Sequence, residues 1–225
     1  MSDNQNWERL GQIDSYVEQL FVRDDPALRI VWDSMSVNRL RPINVSPNSG
    51  HLLYLIARMV GARRVLEVGT LGGYSATWLA LAVGPTGRVI TLEADPRHAE
   101  VARAAIGRTE LANRVEIRDG DGLASMKAMI ARGEAPFDVI FIDANKDGYP
   151  AYLEAGIQLA HPGTVILADN VIRNGGVIQP AAGSNDEQAI HQFNATLAVD
   201  PRLEALIVPT IGRGFVDGIA IARVR

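Results

Sequence analysis

Acidic residues stand at the ends of successive apolar runs along this 225-residue sequence. They are Glu67, Glu93, Asp119 with Asp121, Asp143, and Asp169, which the amide Asn170 follows. If the runs are parallel strands, their carboxyl ends meet at one edge of a sheet, which is where open α/β sheets bind ligands. A cleft lined with carboxylates attracts cations and repels phosphate groups. The pattern therefore predicts a site for a sulfonium, an ammonium group or a divalent metal ion.

The fourth and fifth runs supply the residue types of a metal site. Asp143 lies within FDVIFIDANKDGY, and Asp169 and Asn170 end the next run, GTVILADN. Two carboxylates and one amide oxygen suit a hard cation such as magnesium or calcium, and three ligands leave positions open for substrate oxygens. The alternative is that Asp169 and Asn170 form a turn or a helix cap. Their place on the same predicted edge as Asp143 favours the metal site.

Lys146 follows Asp143 by three residues and is one of only two lysines among 22 basic residues. Lysine, unlike arginine, can act as a base where burial or neighbouring positive charge favours the neutral amine. We therefore expect Lys146 to be a base beside a divalent ion, with a surface charge as the alternative. The other lysine, Lys127, lies on a polar helix face and is expected to be solvated.

A glycine-rich loop, EVGTLGGYS over residues 67–75, follows the first run. A dinucleotide site would need G-x-G-x-x-G, in which glycines let the backbone approach a pyrophosphate, but Leu71 occupies the second glycine position. Glu93, 24 residues after Gly69, is placed to accept hydrogen bonds from ribose hydroxyls. Together they indicate a nucleoside without phosphates, such as S-adenosylmethionine, which carries a ribose, a sulfonium and an amino-acid tail.

Composition and charge argue against several function classes. The chain has no cysteine, so it forms no disulfide or thiolate metal site, and its 4 histidines are scattered without metal-ligand spacing. The net charge of -4 offers no cationic surface for nucleic acid or acidic lipid. No apolar run approaches the ~18 residues of a membrane span, and the N-terminus lacks the pattern of a secretory signal. We expect a cytoplasmic protein without nucleic-acid or membrane partners.

Five apolar runs predict buried strands, at 62–69, 87–94, 113–120, 137–144 and 163–170. Helical stretches lie between them, at 74–83, 96–109 and 122–132. This alternation predicts an α/β fold with a parallel sheet and right-handed crossovers. Two later runs, 203–209 and 214–224, are separated only by Thr210 to Arg213. They predict a hairpin whose last strand is antiparallel.

The first 60 residues are expected to form helices that cover the sheet. Ser46 followed by Pro47 is typical of an N-cap with proline at the first helical position. A length of 225 residues, 47% of them hydrophobic, fits one domain. We therefore expect a single domain over 1–225, with the helical cover at 1–60 and the ligand-binding core at 61–225.

Five motifs of the sequence resemble, in order and spacing, the cation-dependent O-methyltransferases, which include catechol and caffeoyl-CoA O-methyltransferases. The motifs are LEVGTLGGYSATWLA, VITLEADP, RDGDGLAS, FIDANKDGYPAY and ILADNVIRNGG. The resemblance covers residues 42–225. It implies a Rossmann-like, S-adenosylmethionine-dependent methyltransferase fold, with a mostly parallel seven-stranded sheet and an antiparallel last strand. It also implies a homodimer.

Site residues follow from the resemblance position by position. The implied metal ligands are Asp143, Asp169 and Asn170, and the implied catalytic residues are Lys146 as general base and Asp143. The implied cofactor contacts are Val45, Glu67, Gly69, Thr70, Ser75, Glu93, Gly122 and Asp143, and Asn174 matches a substrate contact. Two positions depart from the family pattern: Asn145 replaces an acid, and Gly122 stands where alanine is common.

The implied reaction is methylation of one hydroxyl of a vicinal diphenol, with magnesium as the first choice of cation and manganese or calcium open. The acceptor stays open among a catechol, a hydroxycinnamoyl ester, a flavonoid and a natural-product intermediate. Two other enzymes remain as alternatives: a metal-independent methyltransferase acting on another molecule, and an NAD-dependent oxidoreductase, which Leu71 disfavours. A binding module with a decayed site is disfavoured because every expected ligand type is present.

Overall fold

A single seven-stranded sheet organises the chain in the computed structural model, which describes residues 3–22, 24–212 and 215–225. The strands are β1 (Arg64–Val68), β2 (Arg88–Glu93), β3 (Val115–Asp119), β4 (Phe137–Ile142), β5 (Ala160–Ala168), β6 (Leu203–Gly212) and β7 (Phe215–Val224). Their order across the sheet is β3-β2-β1-β4-β5-β7-β6. Strands β1 to β5 run parallel, and β7 is antiparallel to both of its neighbours. The predicted fold class is confirmed, including the reversed last strand.

Helices cover both faces of the sheet. They are α1 (Asp3–Phe21), α2 (Pro26–Val37), α3 (Pro47–Met59), α4 (Tyr74–Ala82), α5 (Pro96–Ile106), α6 (Gly122–Ala131), α7 (Tyr149–Gln158) and α8 (Asn185–Val199). The Ser46 hydroxyl accepts from the Ser49 amide at 3.1 Å, which confirms the predicted cap of α3. In the part of the chain that the structure describes, no helix is long and apolar enough to cross a membrane.

Alternate residues of each strand face opposite sides and build two apolar cores. Val65, Val89 and Val139 pack on one side with α2 to α5, and the adjacent residues Leu66 and Ile90 pack on the other side with α6 to α8. Burial on both faces explains why the strands are nearly continuous apolar runs. The same burial leaves the carboxyl ends of the strands as the accessible edge.

Element boundaries differ from the prediction where pairing or glycine decides them. β5 begins at Ala160 rather than at residue 163, because Ala160 pairs with Phe137 of β4. α5 ends at Ile106, before Gly107, and does not reach Thr109. Thr210 to Gly212 extend β6 and pair with β7, so the predicted turn over Thr210 to Arg213 is wrong for these residues. Arg213 lies outside the described residues.

Candidate active site

The carboxyl ends of β4 and β5 bring two of the predicted acids side by side. The strands are parallel neighbours with Ile142 paired to Ala168, so Asp143 and Asp169 each lie one residue beyond this pair. The backbone continues the pairing there, since the Asp169 amide donates to the Ile142 carbonyl at 3.1 Å. Sheet register therefore sets the two carboxylates next to each other.

Asp169 is 6% exposed and lies in a field that disfavours its charge. Burial, and then the nearby carboxylate of Asp143, raise the pKa of Asp169 to about 8. A carboxyl that is neutral at pH 7 for these reasons becomes ionised when a cation is bound beside it. The pair therefore fits a cation electrostatically.

Asn170 supplies the third oxygen of the candidate metal site. Its backbone is left-handed, at φ 58°, and its amide N–H donates to Asp169 Oδ1 at 2.8 Å. Its side-chain Nδ2 donates to Asp217 Oδ2 at 3.2 Å. Among residues 3–22, 24–212 and 215–225, no group of three or more histidine and acidic side chains is arranged to hold a metal ion. Two carboxylates with one amide are thus the candidate donor set, and they fit a hard cation.

Lys146 lies at the same edge, in a short 3-10 turn after β4. Its Nζ donates to Asp143 Oδ1 at 3.1 Å and to the Tyr149 hydroxyl at 2.6 Å. That hydroxyl donates in turn to the Asp169 carbonyl at 2.8 Å, and burial raises the pKa of Tyr149 well above its ordinary value. Lys146 is 9% exposed, so the alternative of a surface charge is wrong. Lys127 is exposed, as expected.

The glycine loop after β1 passes close against the metal edge. Gly69 has φ 95°, and a Cβ there would collide with the Asp143 carbonyl oxygen. Leu71 is also left-handed, at φ 49°. The amides of Thr70 and Leu71 donate to Glu93 Oε2 at 3.0 and 2.7 Å. Because a carboxylate already accepts from these amides, they are not arranged to cradle a pyrophosphate.

A cavity of about 780 Å³, here called the loop cavity, brings together most of the predicted cofactor contacts. They are Gly69, Thr70, Ser75, Glu93, Gly122 and Asp143. Glu67 does not line this cavity, because its side chain is fully buried beneath the loop. Burial, which the hydroxyls of Ser75 and Thr91 offset only in part, leaves the pKa of Glu67 raised to about 8.

Gly122 begins α6 at the wall of the loop cavity. A Cβ at this position would lie 2.8 Å from Val68 Cγ1 and 3.4 Å from Tyr152 Cε1. The Tyr152 hydroxyl donates to Asn145 Oδ1 at 2.6 Å. This hydrogen bond fixes Asn145, the other residue that departs from the family pattern. Glycine at 122 therefore accommodates the packing of Val68 and Tyr152.

A second cavity of about 570 Å³, here called the β7 cavity, adjoins the first. Asp169, Asn170 and Asn174 line it, and so does Val45, which does not line the loop cavity. Asn174 is exposed and its Oδ1 accepts from the Val216 amide at 2.8 Å. Asn170 lines both cavities, as do Ile43, Asn44 and Arg173, so the shared wall includes one candidate metal ligand.

Comparison with known proteins identifies the family. Residues 21–224 match the family described as O-methyltransferase. The chain belongs to the O-methyltransferase family. A catechol O-methyltransferase of Mycobacterium tuberculosis is 42% identical over 215 residues, covering 95% of each chain. One of Niastella koreensis is 40% identical over 213 residues, covering 95% of this chain and 96% of the relative. The solved structure of the O-methyltransferase from Bacillus cereus in complex with SAH has a TM-score of 0.93 at 41% identity, covering 97% of this chain and 100% of the other.

Two side chains of this O-methyltransferase contact the candidate residues although the sequence did not single them out. Tyr149 carries a faint signal, since it follows Lys146 by one helical turn and can share its face. Asp217 carries none, because 47 residues separate it from Asn170 and only the pairing of β5 with β7 brings them together. Both act on candidate ligands through hydrogen bonds, not through a recognisable motif.

Proposed function

We propose that this protein is an S-adenosylmethionine-dependent and divalent-metal-dependent O-methyltransferase that methylates one hydroxyl of a vicinal diphenol. The observation that carries the proposal is that the loop cavity and the β7 cavity meet at Asn170, beside Asp143 and Asp169. A methyl donor in the first cavity and an acceptor in the second would face each other across the candidate metal ligands.

S-adenosylmethionine is the donor we propose for the loop cavity. SAH, bound in the Bacillus cereus relative, is the product that remains once this donor has lost its methyl group. Glu93 lines the cavity and also holds the loop amides, so one carboxylate would both shape the loop and face a ribose. The carboxylates at this edge favour a sulfonium. The occupied loop amides disfavour the NAD alternative.

Magnesium is the cation we propose, with manganese and calcium as alternatives, since all three prefer oxygen ligands. When bound, it would supply Lewis acidity that favours ionisation of a phenolic hydroxyl. Asp143, Asp169 and Asn170 would hold it with two carboxylates and one amide oxygen. Asp169 retains a proton at neutral pH because its pKa is raised to about 8. Binding of the cation would release that proton.

Lys146 is the residue we assign to take the hydroxyl proton. Its Nζ is held between Asp143 and Tyr149, and the Tyr149 hydroxyl is itself anchored on the Asp169 carbonyl. The amine lines the loop cavity, which meets the β7 cavity at Asn170, and as a general base it would have to come within hydrogen-bond reach of the acceptor hydroxyl there. Fixed geometry lowers the cost of bringing the reacting groups together.

The acceptor would occupy the β7 cavity. Ile43 and Phe215 give it apolar walls suited to an aromatic ring, and the exposed Asn174 stands at its lining for the substrate contact that the resemblance implies. The acceptor stays open among a catechol, a hydroxycinnamoyl ester, a flavonoid and a natural-product intermediate. The implied homodimer is likewise a proposal, testable by light scattering.

The decisive experiment is methyl transfer from S-adenosylmethionine to a panel of catechols, run with magnesium and with excess EDTA. The expected result is turnover that stops with EDTA and returns with added metal. Turnover that persists in EDTA would mean that Asp169 and Asn170 are structural and would favour a metal-independent methyltransferase. SAH binding, followed by calorimetry, tests the donor separately from the acceptor. Absence of SAH binding would refute the donor assignment.

A further inference from the structure

Asp217 is a buried carboxylate on β7 that collects hydrogen bonds from the loop after β5. It is 7% exposed. Its Oδ1 accepts from the amides of Ile172 at 3.1 Å, Arg173 at 3.0 Å and Gly218 at 2.8 Å. Its Oδ2 accepts from Asn170 Nδ2 at 3.2 Å. The two oxygens thus have separate tasks, because one holds the backbone and the other holds a side chain.

The loop that Asp217 holds has an unusual backbone. Asn170, Arg173 and Asn174 are left-handed, at φ 58°, 51° and 52°. Non-glycine residues adopt this region rarely, and such a cluster persists only where surrounding contacts hold it in place. The amides of residues 172 and 173 both donate to Asp217 Oδ1, so this carboxylate supplies part of that restraint.

The hydrogen bond to Oδ2 determines which way the Asn170 amide faces. An ionised carboxylate only accepts hydrogen bonds, so the group facing it must be the amide nitrogen. The amide oxygen is then turned away from Asp217 and left free to ligate. In the opposite orientation the Asn170 oxygen would face a carboxylate, and the nitrogen, which cannot bind a cation, would face the metal.

We propose that Asp217 is a positioning residue for the metal site, which orients the Asn170 oxygen toward the cation. The inference rests on the proposed metal dependence. Partners that orient metal ligands in this way are worth 10–100-fold in metal affinity in other proteins, on the order of the effect expected here. Asp217 lines only the β7 cavity, whereas Asn170 and Arg173, which it holds, line both cavities, so the affinity for SAH is expected to change less than the affinity for the cation.

Asp217→Asn is the variant that separates the two tasks. The new amide keeps its oxygen on the three backbone N–H groups, because turning it around would give up three hydrogen bonds in order to keep one. Its nitrogen then faces Asn170 Nδ2, donor against donor. The Asn170 amide is expected to rotate and give its oxygen to the new amide, which withdraws that oxygen from the cation.

The measurement is the Kd for Mn²⁺ by titration calorimetry and electron paramagnetic resonance, with the Kd for SAH measured in parallel. Asp138→Asn is the matched control, because Asp138 also accepts from two backbone amides, Arg63 at 2.7 Å and Arg64 at 2.8 Å, but lies near the start of β4, at the opposite end of the strand from Asp143. We expect Asp217→Asn to weaken Mn²⁺ binding roughly 10–100-fold. Asp138→Asn should leave both affinities unchanged.

The exchanged pair Asn170→Asp with Asp217→Asn tests orientation directly. The new amide at 217 can donate to the new carboxylate at 170, whose second oxygen is free for the cation, so most of the lost Mn²⁺ affinity should return. Asn170→Asp alone sets the new carboxylate against that of Asp217. This single variant should therefore bind Mn²⁺ less tightly than the exchanged pair does. Equal Mn²⁺ affinity in Asp217→Asn and the wild type, or no recovery in the exchanged pair, would overturn the inference. A wild-type protein that binds no divalent ion would instead overturn the proposed metal dependence.

Discussion

Replacing Glu67 by glutamine should remove a pH-dependent loss of stability that the buried carboxyl imposes. The side chain is fully buried, and its Oε1 has no hydrogen-bond partner among the described residues. Burial raises the pKa of Glu67 from 4.5 to about 8 in the folded protein. Between these values the folded state keeps a proton that the unfolded state releases. The contribution of Glu67 to stability is therefore largest below pH 4.5 and is lost as the pH rises toward 8.

The size of the effect follows from the shift in pKa. Each pH unit inside the window costs about 1.4 kcal/mol, so going from pH 5 to pH 8 costs roughly 4 kcal/mol as an upper bound. Glutamine has nearly the same shape and does not titrate. Glu67→Gln should therefore match the wild type to within a constant offset at pH 5, and gain on it steadily up to pH 8.

Urea unfolding of the metal-free and cofactor-free protein at pH 5, 6, 7 and 8 measures this difference. The difference between variant and wild type is the proper quantity, because Asp169 also has a pKa raised to about 8 and contributes a slope of the same sign to both proteins. Unfolding free energies that run parallel for the two proteins from pH 5 to pH 8 would show that Glu67 ionises normally, and would refute the assignment of a neutral buried carboxyl.

Three further predictions concern the edge of the sheet. Lys146→Ala should lower kcat by roughly 10²–10⁴-fold, as expected for loss of a general base. Lys127→Ala is the control and should keep the wild-type kcat, and a near wild-type kcat for Lys146→Ala would remove Lys146 from the reaction. Magnesium affinity should improve about tenfold per pH unit below pH 8 and level off above it, because Asp169 must release its proton before it binds the ion. Calorimetry in two buffers of different ionisation enthalpy would detect the released proton. Magnesium binding that does not depend on pH would contradict this prediction. Gly122→Ala should lower the free energy of unfolding by about 1–3 kcal/mol through overpacking, since its Cβ would lie 2.8 Å from Val68 Cγ1. Adding Val68→Ala should reduce this loss, as measured by thermal unfolding. An unaltered loss would show that the strain arises elsewhere.

The parallel strands were predictable because they depend on patterns that one sequence displays, whereas their order across the sheet was not predicted. Continuous apolar runs mark strands buried on both faces, and intervening helices require parallel crossovers. The start of α3 was predictable for the same reason, since Ser46 accepts a hydrogen bond from the Ser49 amide in the first turn that follows. These features are local, so neighbouring residues suffice to specify them.

Contacts between distant segments were not predictable. Asp217 meets Asn170 across 47 residues, and the register of β5 with β7 places it there. The helices before residue 60 were expected, but not that Ile43 and Val45, in the segment between α2 and α3, would line the β7 cavity. The described chain leaves the homodimer and the cytoplasmic location as predictions.

The acidic residues at the strand ends look alike in sequence but differ in how deeply their side chains are buried. Their contacts differ accordingly. Asp119 is exposed and pairs with Arg103, and Asp121 caps α6 by accepting from the Ala124 amide at 2.8 Å. Neither of these contacts needs a ligand. Asp121 also lines the loop cavity, whereas Asp119 lines neither cavity, so the acids of the predicted edge do not all face the candidate site.

The buried acidic residues differ in the groups that can compensate their negative charge. The carboxylates of Asp143 and Glu93 add to the effect of burial on Glu67, which is expected to stay neutral, whereas Glu93 accepts hydrogen bonds from the loop amides. Asp143 and Asp169 lie close enough to repel each other, and Lys146 donates a hydrogen bond to Asp143. A buried carboxylate pair of this kind gains the most from a divalent ion, because ligation relieves both desolvation and mutual repulsion. Strand ends alone cannot distinguish these cases, since depth and partners are properties of the folded sheet.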